Sequence, residues 1–75
     1  MDAKSIGMDI ERIRKRGKFS RKDLAMIAEV GSTAIYELEK GSGKTKLETL
    51  LKVLNALNIK LTLTAPFTDY PARES

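Results

Sequence analysis

The chain has 75 residues, with 14 basic and 10 acidic side chains and no cysteine or histidine. This length is near the lower limit at which one hydrophobic core supports a fold. The missing residue types exclude disulfides, thiolate nucleophiles and the commonest zinc ligands, so we expect no metal, no cofactor and no enzyme activity. No apolar run approaches about 18 residues and no signal peptide opens the chain, which predicts a cytoplasmic protein without a membrane partner.

The first predicted helix begins near Ser5, whose side chain caps it, and ends at Gly17, which suits a left-handed conformation. Ile6 and Ile10 are spaced i, i+4 and therefore share one face of this helix. Gly7 is expected to loosen the first turn, because glycine disfavours helix interiors.

Two short helices are predicted next, over residues 21–28 and 32–40, with a turn at Gly31 between them. Ser20 and Asp23 form a loose capping box at the start of the first of these helices. Two short helices joined by a tight turn are the helix-turn-helix arrangement.

A fourth helix over residues 46–57 is predicted from the capping box of Thr45 and Glu48. Asn58 is a plausible left-handed stop for this helix. Residues 59–64 then alternate strictly between apolar and polar side chains, which is typical of a β-strand.

A lone strand leaves its backbone hydrogen-bonding groups unpaired and exposes Ile59, Leu61 and Leu63 on one face. The simplest partner is the same strand of a second copy, paired antiparallel about a two-fold axis. The alternatives are a strand that folds back on its own chain or pairs with another protein. We expect a homodimer whose interface contains these three side chains.

The charge of the chain is concentrated in residues 12–46, which hold ten basic and four acidic side chains. Such a basic stretch favours polyanions such as nucleic acid, although a solvated helix face explains it as well. Three segments within this stretch form a recognisable pattern: 24–25, 28–30 and 35–41. They resemble the signature of the Xre/Cro-repressor-like helix-turn-helix family, whose members bind DNA.

The run of residues 47–57 followed by 59–64 is similar to HipB-type antitoxins, the DNA-binding partners of HipA-type kinase toxins. The resemblance covers about residues 6–65. It implies a mostly α, four- to five-helix lambda-repressor-like domain with one C-terminal β-strand that pairs across a homodimer. The expected domain spans residues 5–65, between a flexible N-terminus (1–4) and a flexible tail (66–75).

By resemblance, the third helix is the recognition helix, whose N-terminal part enters the major groove of DNA. The positions that match the base-reading residues of the family, or lie beside them, are Ser32, Thr33, Ala34, Tyr36 and Glu37. Those expected along the phosphate backbone are Arg21, Lys40, Lys44 and Lys46. Phosphate contacts fix register, whereas contacts to base edges specify sequence.

Two of the base-reading positions have a second explanation. Glu37 can form a salt bridge to Lys40 or Lys44 instead of accepting a hydrogen bond from cytosine. Tyr36 can pack as a rim aromatic residue on the neighbouring helix. Each alternative would remove the residue from sequence readout.

The resemblance also implies a brace for the recognition helix. Glu39 matches the family position that holds this helix through a buried ion pair, here with Arg14 or Arg12. Such a pair would tie the recognition helix to the first helix.

The chain departs from the family pattern in the helix-turn-helix itself. Arg21 replaces the usual glutamine, and Glu29 replaces the usual glycine of the turn. Either the left-handed residue has moved to Gly31, or Glu29 takes that conformation itself. Met26 and Ile27 occupy positions that are commonly polar in the family, and they are either extra core or a patch for a partner.

The main interpretation is a dimeric, sequence-specific transcriptional repressor that binds an inverted-repeat operator in double-stranded DNA and is nucleoid-associated when bound. The resemblance implies a HipB-like antitoxin that autorepresses its operon and binds a HipA-type kinase toxin. The alternatives are a stand-alone phage-type regulator and a protein-interaction module that has lost DNA reading. A small enzyme has least support, because the sequence has no metal-ligand spacing and no glycine-rich phosphate loop.

Overall fold

The computed structural model describes residues 1–66, and these residues form four α-helices. Their bounds are α1 Ala3–Arg16, α2 Arg21–Ala28, α3 Ser32–Lys40 and α4 Leu47–Ala56. Helix α3 packs against the other three helices, and α2 also packs against α4. The mostly α helix-turn-helix fold that the sequence predicts is confirmed, and α2 and α3 have the predicted bounds.

Helix α1 begins earlier than the sequence predicts. The carboxylate of Asp2 accepts a hydrogen bond from the Ser5 amide at 2.8 Å, and the Ser5 hydroxyl accepts one from the Asp2 amide at 3.2 Å. Ser5 is therefore the third residue of the helix, and the prediction that it is the N-cap is wrong. Ala3 and Lys4, which the sequence assigned to a flexible N-terminus, lie in the first turn.

The ends of α1 and α4 also differ from the sequence predictions. Gly17 has φ −78°, and Lys18 takes the left-handed conformation at φ 62° that was expected of the glycine. Thr45 does not cap α4, because the extended backbone of Lys46 makes that residue the N-cap, without a side-chain hydrogen bond. Asn58 has φ 58°, so the predicted left-handed stop is confirmed.

The core lies where the four helices meet. It consists of eight buried apolar residues: Ile10, Leu24, Ala25, Ala28, Ile35, Leu38, Val53 and Leu54. Burying a side chain such as leucine or isoleucine contributes about 1.5–3 kcal/mol, so this small set carries much of the stability.

Gly7 is buried where α1 crosses the end of α3. A Cβ atom at this position would lie 2.7 Å from the backbone oxygen of Glu39. Since real side chains do not approach a carbonyl that closely, the absence of a side chain is what lets the two helices pack together. The sequence predicted only that Gly7 loosens the first turn of α1, and it gave no sign of this close approach.

Residues 59–64 form no strand in the single chain that the structure describes. Ile59 is half-buried against the core, and its amide donates to the carbonyl of Leu54 at 2.8 Å. Leu61 and Leu63 are 59% and 75% exposed. Because a strand needs a pairing partner, the strand that pairs across a homodimer stays a prediction.

Residues 67–75, most of the tail predicted over 66–75, lie outside the described residues. Within residues 1–66, none of the helices combines the length and the apolar character needed to cross a membrane.

Candidate DNA-binding surface

The turn between α2 and α3 is built on a left-handed residue that is not glycine. Glu29 has φ 61° and ψ 45°, whereas Gly31 is extended at φ −74° and is the N-cap of α3. Of the two alternatives that the sequence left open, Glu29 therefore takes the left-handed conformation itself. Val30 between them is half-buried against the core and donates its amide to the Ala25 carbonyl at 3.0 Å.

The start of α2 has the predicted capping box. The Ser20 hydroxyl accepts from the Asp23 amide at 2.9 Å, and the Asp23 carboxylate accepts from the Ser20 amide at 3.2 Å. This reciprocal cap fixes the first turn of α2 and therefore the position of Arg21, its first residue.

Helix α3 is anchored by one face and exposes the other. Ile35, Leu38 and Glu39 are buried against the other helices. At about 100° per residue, Thr33 and Glu37 lie near the middle of the opposite face. A buried anchor beneath an exposed face is what a helix needs to enter a DNA groove.

The predicted base-reading residues differ in their exposure. Ser32, Thr33 and Glu37 are exposed, whereas Ala34 is half-buried. Within residues 1–66, Glu37 makes no salt bridge, so the alternative in which Lys40 or Lys44 engages it is not seen there.

Tyr36 is 46% exposed, and two cations lie near its ring. The guanidinium carbon of Arg21 is 5.1 Å from the centre of its ring, and the Lys40 ammonium is 5.4 Å from it. Arg21 belongs to α2, so the ring packs against the neighbouring helix, as in the alternative explanation of this residue.

The predicted brace of the recognition helix is present, with Arg14 as the partner of Glu39. Arg14 Nε donates to Glu39 Oε2 at 2.6 Å and Arg14 Nη2 donates to Glu39 Oε1 at 3.1 Å. Arg14 Nη1 also donates to the Phe19 carbonyl at 2.8 Å. Arg12, the other candidate, instead pairs with Asp9 on the surface of α1 at 3.0 Å.

The sequence reasoning missed a second cation on Glu39. Arg21 Nε donates to Glu39 Oε1 at 2.9 Å, and Arg21 Nη2 lies 3.5 Å from a carboxylate oxygen of Glu11. The signal was available in the replacement of glutamine by arginine at this position. A guanidinium is longer than an amide and always charged, so it can reach a carboxylate that already has one partner.

These contacts shift the pKa values of Glu39 and Arg21. Burial raises the pKa of Glu39, but the hydrogen bonds from Arg14 and Arg21 and the positive charges of these arginines together outweigh it and hold the pKa below the usual value of a glutamate. The hydrogen bond to Glu39 in turn raises the pKa of Arg21. Glu39 and Arg21 are therefore both charged at neutral pH.

The remaining predicted phosphate contacts lie around α3. Lys40 ends this helix, and Lys44 and Lys46 lie in the loop before α4; all three are exposed. None of the three makes a salt bridge within the described chain. Within the described residues, no acidic side chain therefore neutralises their charge, which is available to an anion.

The chain is similar in sequence to known proteins. A sequence profile of the helix-turn-helix family matches residues 10–63. A curated relative from Methanothermobacter thermautotrophicus, provisionally named as an HTH-type transcriptional regulatory protein, is 32% identical over 68 residues. That match covers 91% of this chain but only 22% of the relative, so the chain spans about a fifth of the length of that protein.

Solved structures share the fold. A chain of the HipB-O4 20mer complex and a chain of the HipA-HipB-O2-O3 complex each match with a TM-score of 0.81 at 20% sequence identity. Each match covers 88% of this chain and 93% of the other chain. The four helices therefore have the same arrangement as in these proteins.

Proposed function

The chain belongs to the helix-turn-helix family, of the Xre-like type, and from this we propose that it is a sequence-specific DNA-binding transcriptional repressor. One observation carries the proposal: α3 presents Thr33 and Glu37 on an exposed face, and the exposed Lys40 ends the same helix. The buried Ile35 and Glu39 hold that face in place. A rigid helix with a polar face and a cationic rim suits the major groove.

The proposed contacts to DNA fall into two groups, those to base edges and those to phosphates. The hydroxyls of Ser32 and Thr33 can donate to or accept from base edges, the half-buried Ala34 can contact a thymine methyl group, and Glu37 can accept from cytosine N4. Lys44 and Lys46 lie along the phosphates, which they hold without reading sequence.

We further propose that two copies bind together as a homodimer. Leu61 and Leu63 are exposed apolar side chains that a second copy would cover. Two recognition helices related by a two-fold axis face successive major grooves about 34 Å apart, so the target is an inverted repeat. Several lysines on phosphates per copy make the binding strongly dependent on salt.

The antitoxin role rests on the shared fold. One of the matching solved structures is a HipA-HipB complex. We therefore propose that this chain acts in the cytoplasm, represses its own operon and binds a HipA-type kinase toxin encoded there. Co-expression with the neighbouring gene tests this partner: a stable complex that survives size-exclusion chromatography supports it, and separate elution contradicts it.

A gel-shift titration tests the DNA-binding function. The purified chain is titrated against the DNA upstream of its own gene, at low and at physiological salt, with random-sequence competitor. We expect a complex that resists competitor and whose footprint is an inverted repeat. Binding that the competitor abolishes at both salt concentrations would contradict the proposal.

Two variants separate sequence readout from phosphate contact. Thr33→Ala removes a base contact, so it should weaken operator binding by about 1–3 kcal/mol and leave random DNA unaffected. Lys44→Ala is the matched control, because it should weaken binding to both DNAs by a similar factor and reduce the salt slope by about one. If Thr33→Ala leaves the ratio of operator affinity to random-DNA affinity unchanged, the assignment of Thr33 as a base-reading residue is wrong.

A protein-interaction module without DNA readout is the second candidate function. Met26 and Ile27 are 73% and 53% exposed on α2, where the family is commonly polar. They are therefore not extra core, and the remaining explanation is a patch for a partner. Absence of specific DNA binding together with a stable protein complex would favour this function over repression.

A further inference from the structure

We propose that Tyr36 is a positioning residue that aligns Arg21 and Lys40 for the DNA phosphates, and that it does not read bases. This inference rests on the proposed DNA binding and assigns a role within the same surface. It replaces the role that the sequence resemblance implies for Tyr36.

The geometry of α3 separates Tyr36 from the middle of the exposed face. Thr33 and Glu37 are spaced i, i+4 and form one stripe, whereas Tyr36 and Lys40 form a second stripe beside it. The second stripe lies on the side of Arg21, since the guanidinium carbon is 5.1 Å from the centre of the tyrosine ring. The ring therefore lies at the junction between α2 and the flank of α3.

The ring draws together two cations that would otherwise repel each other. The face of an aromatic ring is electronegative and attracts a cation within about 6 Å of its centre. Arg21 and Lys40 both satisfy this distance, although they come from different helices. A long cationic side chain that is already ordered loses less conformational entropy when it binds an anion.

Arg21 keeps hydrogen-bonding capacity for such an anion. Its Nε is used by Glu39 and its Nη2 lies near Glu11, but within residues 1–66 its Nη1 donates no hydrogen bond. A guanidinium has five N–H donors in a plane, so the two at Nη1 can reach a phosphate oxygen while Glu39 holds the other side.

The test compares Tyr36→Leu with Tyr36→Phe on two duplexes, the operator and a random sequence of equal length. Each exposed cation–π contact contributes a factor of about two to five, so Tyr36→Leu should weaken binding to both duplexes by a similar factor of about ten. Tyr36→Phe keeps the ring, and we expect it to retain the affinity that the leucine variant loses. Thermal melting of each variant checks that it is folded.

A double-mutant cycle with Lys40→Ala excludes a merely structural effect. If the ring acts through the cations, Tyr36→Leu should cost less in the Lys40→Ala background than in the wild type. Equal losses in both backgrounds would overturn the inference.

Loss of operator binding alone in Tyr36→Phe would also overturn the inference, because it would make the hydroxyl a base reader. Failure of the wild type to bind either duplex would instead refute the proposed DNA-binding function. The two failures are therefore distinguishable.

Discussion

Glu39 joins three helices through one carboxylate. It lies on α3 and accepts hydrogen bonds from Arg14 on α1 and Arg21 on α2. Its side chain is only 1% exposed, and a buried carboxylate with two cationic donors keeps its charge. The orientation of the recognition helix therefore depends on a residue that does not itself reach the exposed face.

We expect Glu39→Gln to lower the free energy of unfolding by about 3 kcal/mol at pH 7, because it leaves two arginines facing an uncharged group. Since folding lowers the pKa of Glu39, its contribution is complete above the unfolded pKa, about 4.3, and is lost as the pH falls through the folded pKa. Urea titrations of both proteins from pH 7 to pH 2.5 measure this difference. If the difference in free energy of unfolding between the wild type and Glu39→Gln does not change with pH, the charge of Glu39 does not stabilise the fold.

Gly7→Ala should destabilise the protein by about 1–3 kcal/mol although alanine favours helices. The new methyl group would lie 2.7 Å from the Glu39 carbonyl oxygen, and the resulting overpacking outweighs a gain in helix propensity of about 1 kcal/mol. Urea unfolding measures the change. Met8→Ala, at an exposed position of the same helix, is the control and should stay within about 0.5 kcal/mol of the wild type.

At the scale of elements, the turn between α2 and α3 carries backbone strain. Glu29 ends α2 at φ 61°, a conformation that costs a residue with a side chain about 1–2 kcal/mol. Its amide donates to Met26, and the amide of Val30 to Ala25, which holds the turn closed. The helix-turn-helix is therefore formed here by hydrogen bonding and packing in spite of an unfavourable residue.

Glu29→Gly should raise the free energy of unfolding by about 0.5–1 kcal/mol, because relief of the strain exceeds the entropy that glycine adds to the unfolded chain. Gly31→Ala is the matched control: this residue has φ −74° and open space around its Cβ position. It should stay within about 0.5 kcal/mol of the wild type, because the entropy that alanine removes from the unfolded chain offsets its lower preference for the N-cap position. Thermal unfolding measures the stability of both variants. A Glu29→Gly protein that is less stable than the wild type would contradict the claim that the backbone at Glu29 is strained.

At the scale of the whole molecule, apolar surface remains uncovered along α4 and the segment after it. Leu47 and Leu51 are 66% and 40% exposed, and Leu61 and Leu63 are more than half exposed. A chain with so small a core gains stability from covering such side chains. The proposed second copy, paired through residues 59–64, would cover Leu61 and Leu63.

Leu61→Lys should raise the dissociation constant of the homodimer by at least about a hundredfold, because it buries a charge at the predicted interface. Thr62→Lys is the matched control, since the next residue of a strand points to the opposite face. Sedimentation of both variants measures the dimer. A Leu61→Lys protein that remains dimeric at the wild-type concentration would refute the predicted pairing.

The sequence by itself determined α2, α3 and the helix-turn-helix, because their signals are local. The capping box of Ser20 and Asp23 acts within a few residues of the chain. The apolar periodicity that buries Ile35 and Leu38 is equally local. The family resemblance predicted that Glu39 pairs with an arginine of α1. It left open whether the partner is Arg14 or Arg12.

The tertiary structure decided what depends on residues far apart in the chain. Arg21 meets Glu39 and Tyr36 only after α2 and α3 have packed, so the arginine at this position signals a carboxylate partner without showing which carboxylate it is. The buried position of Gly7 likewise follows from the crossing of α1 and α3. Spacing along a chain fixes which side chains share a face, but only packing brings faces of different helices into contact.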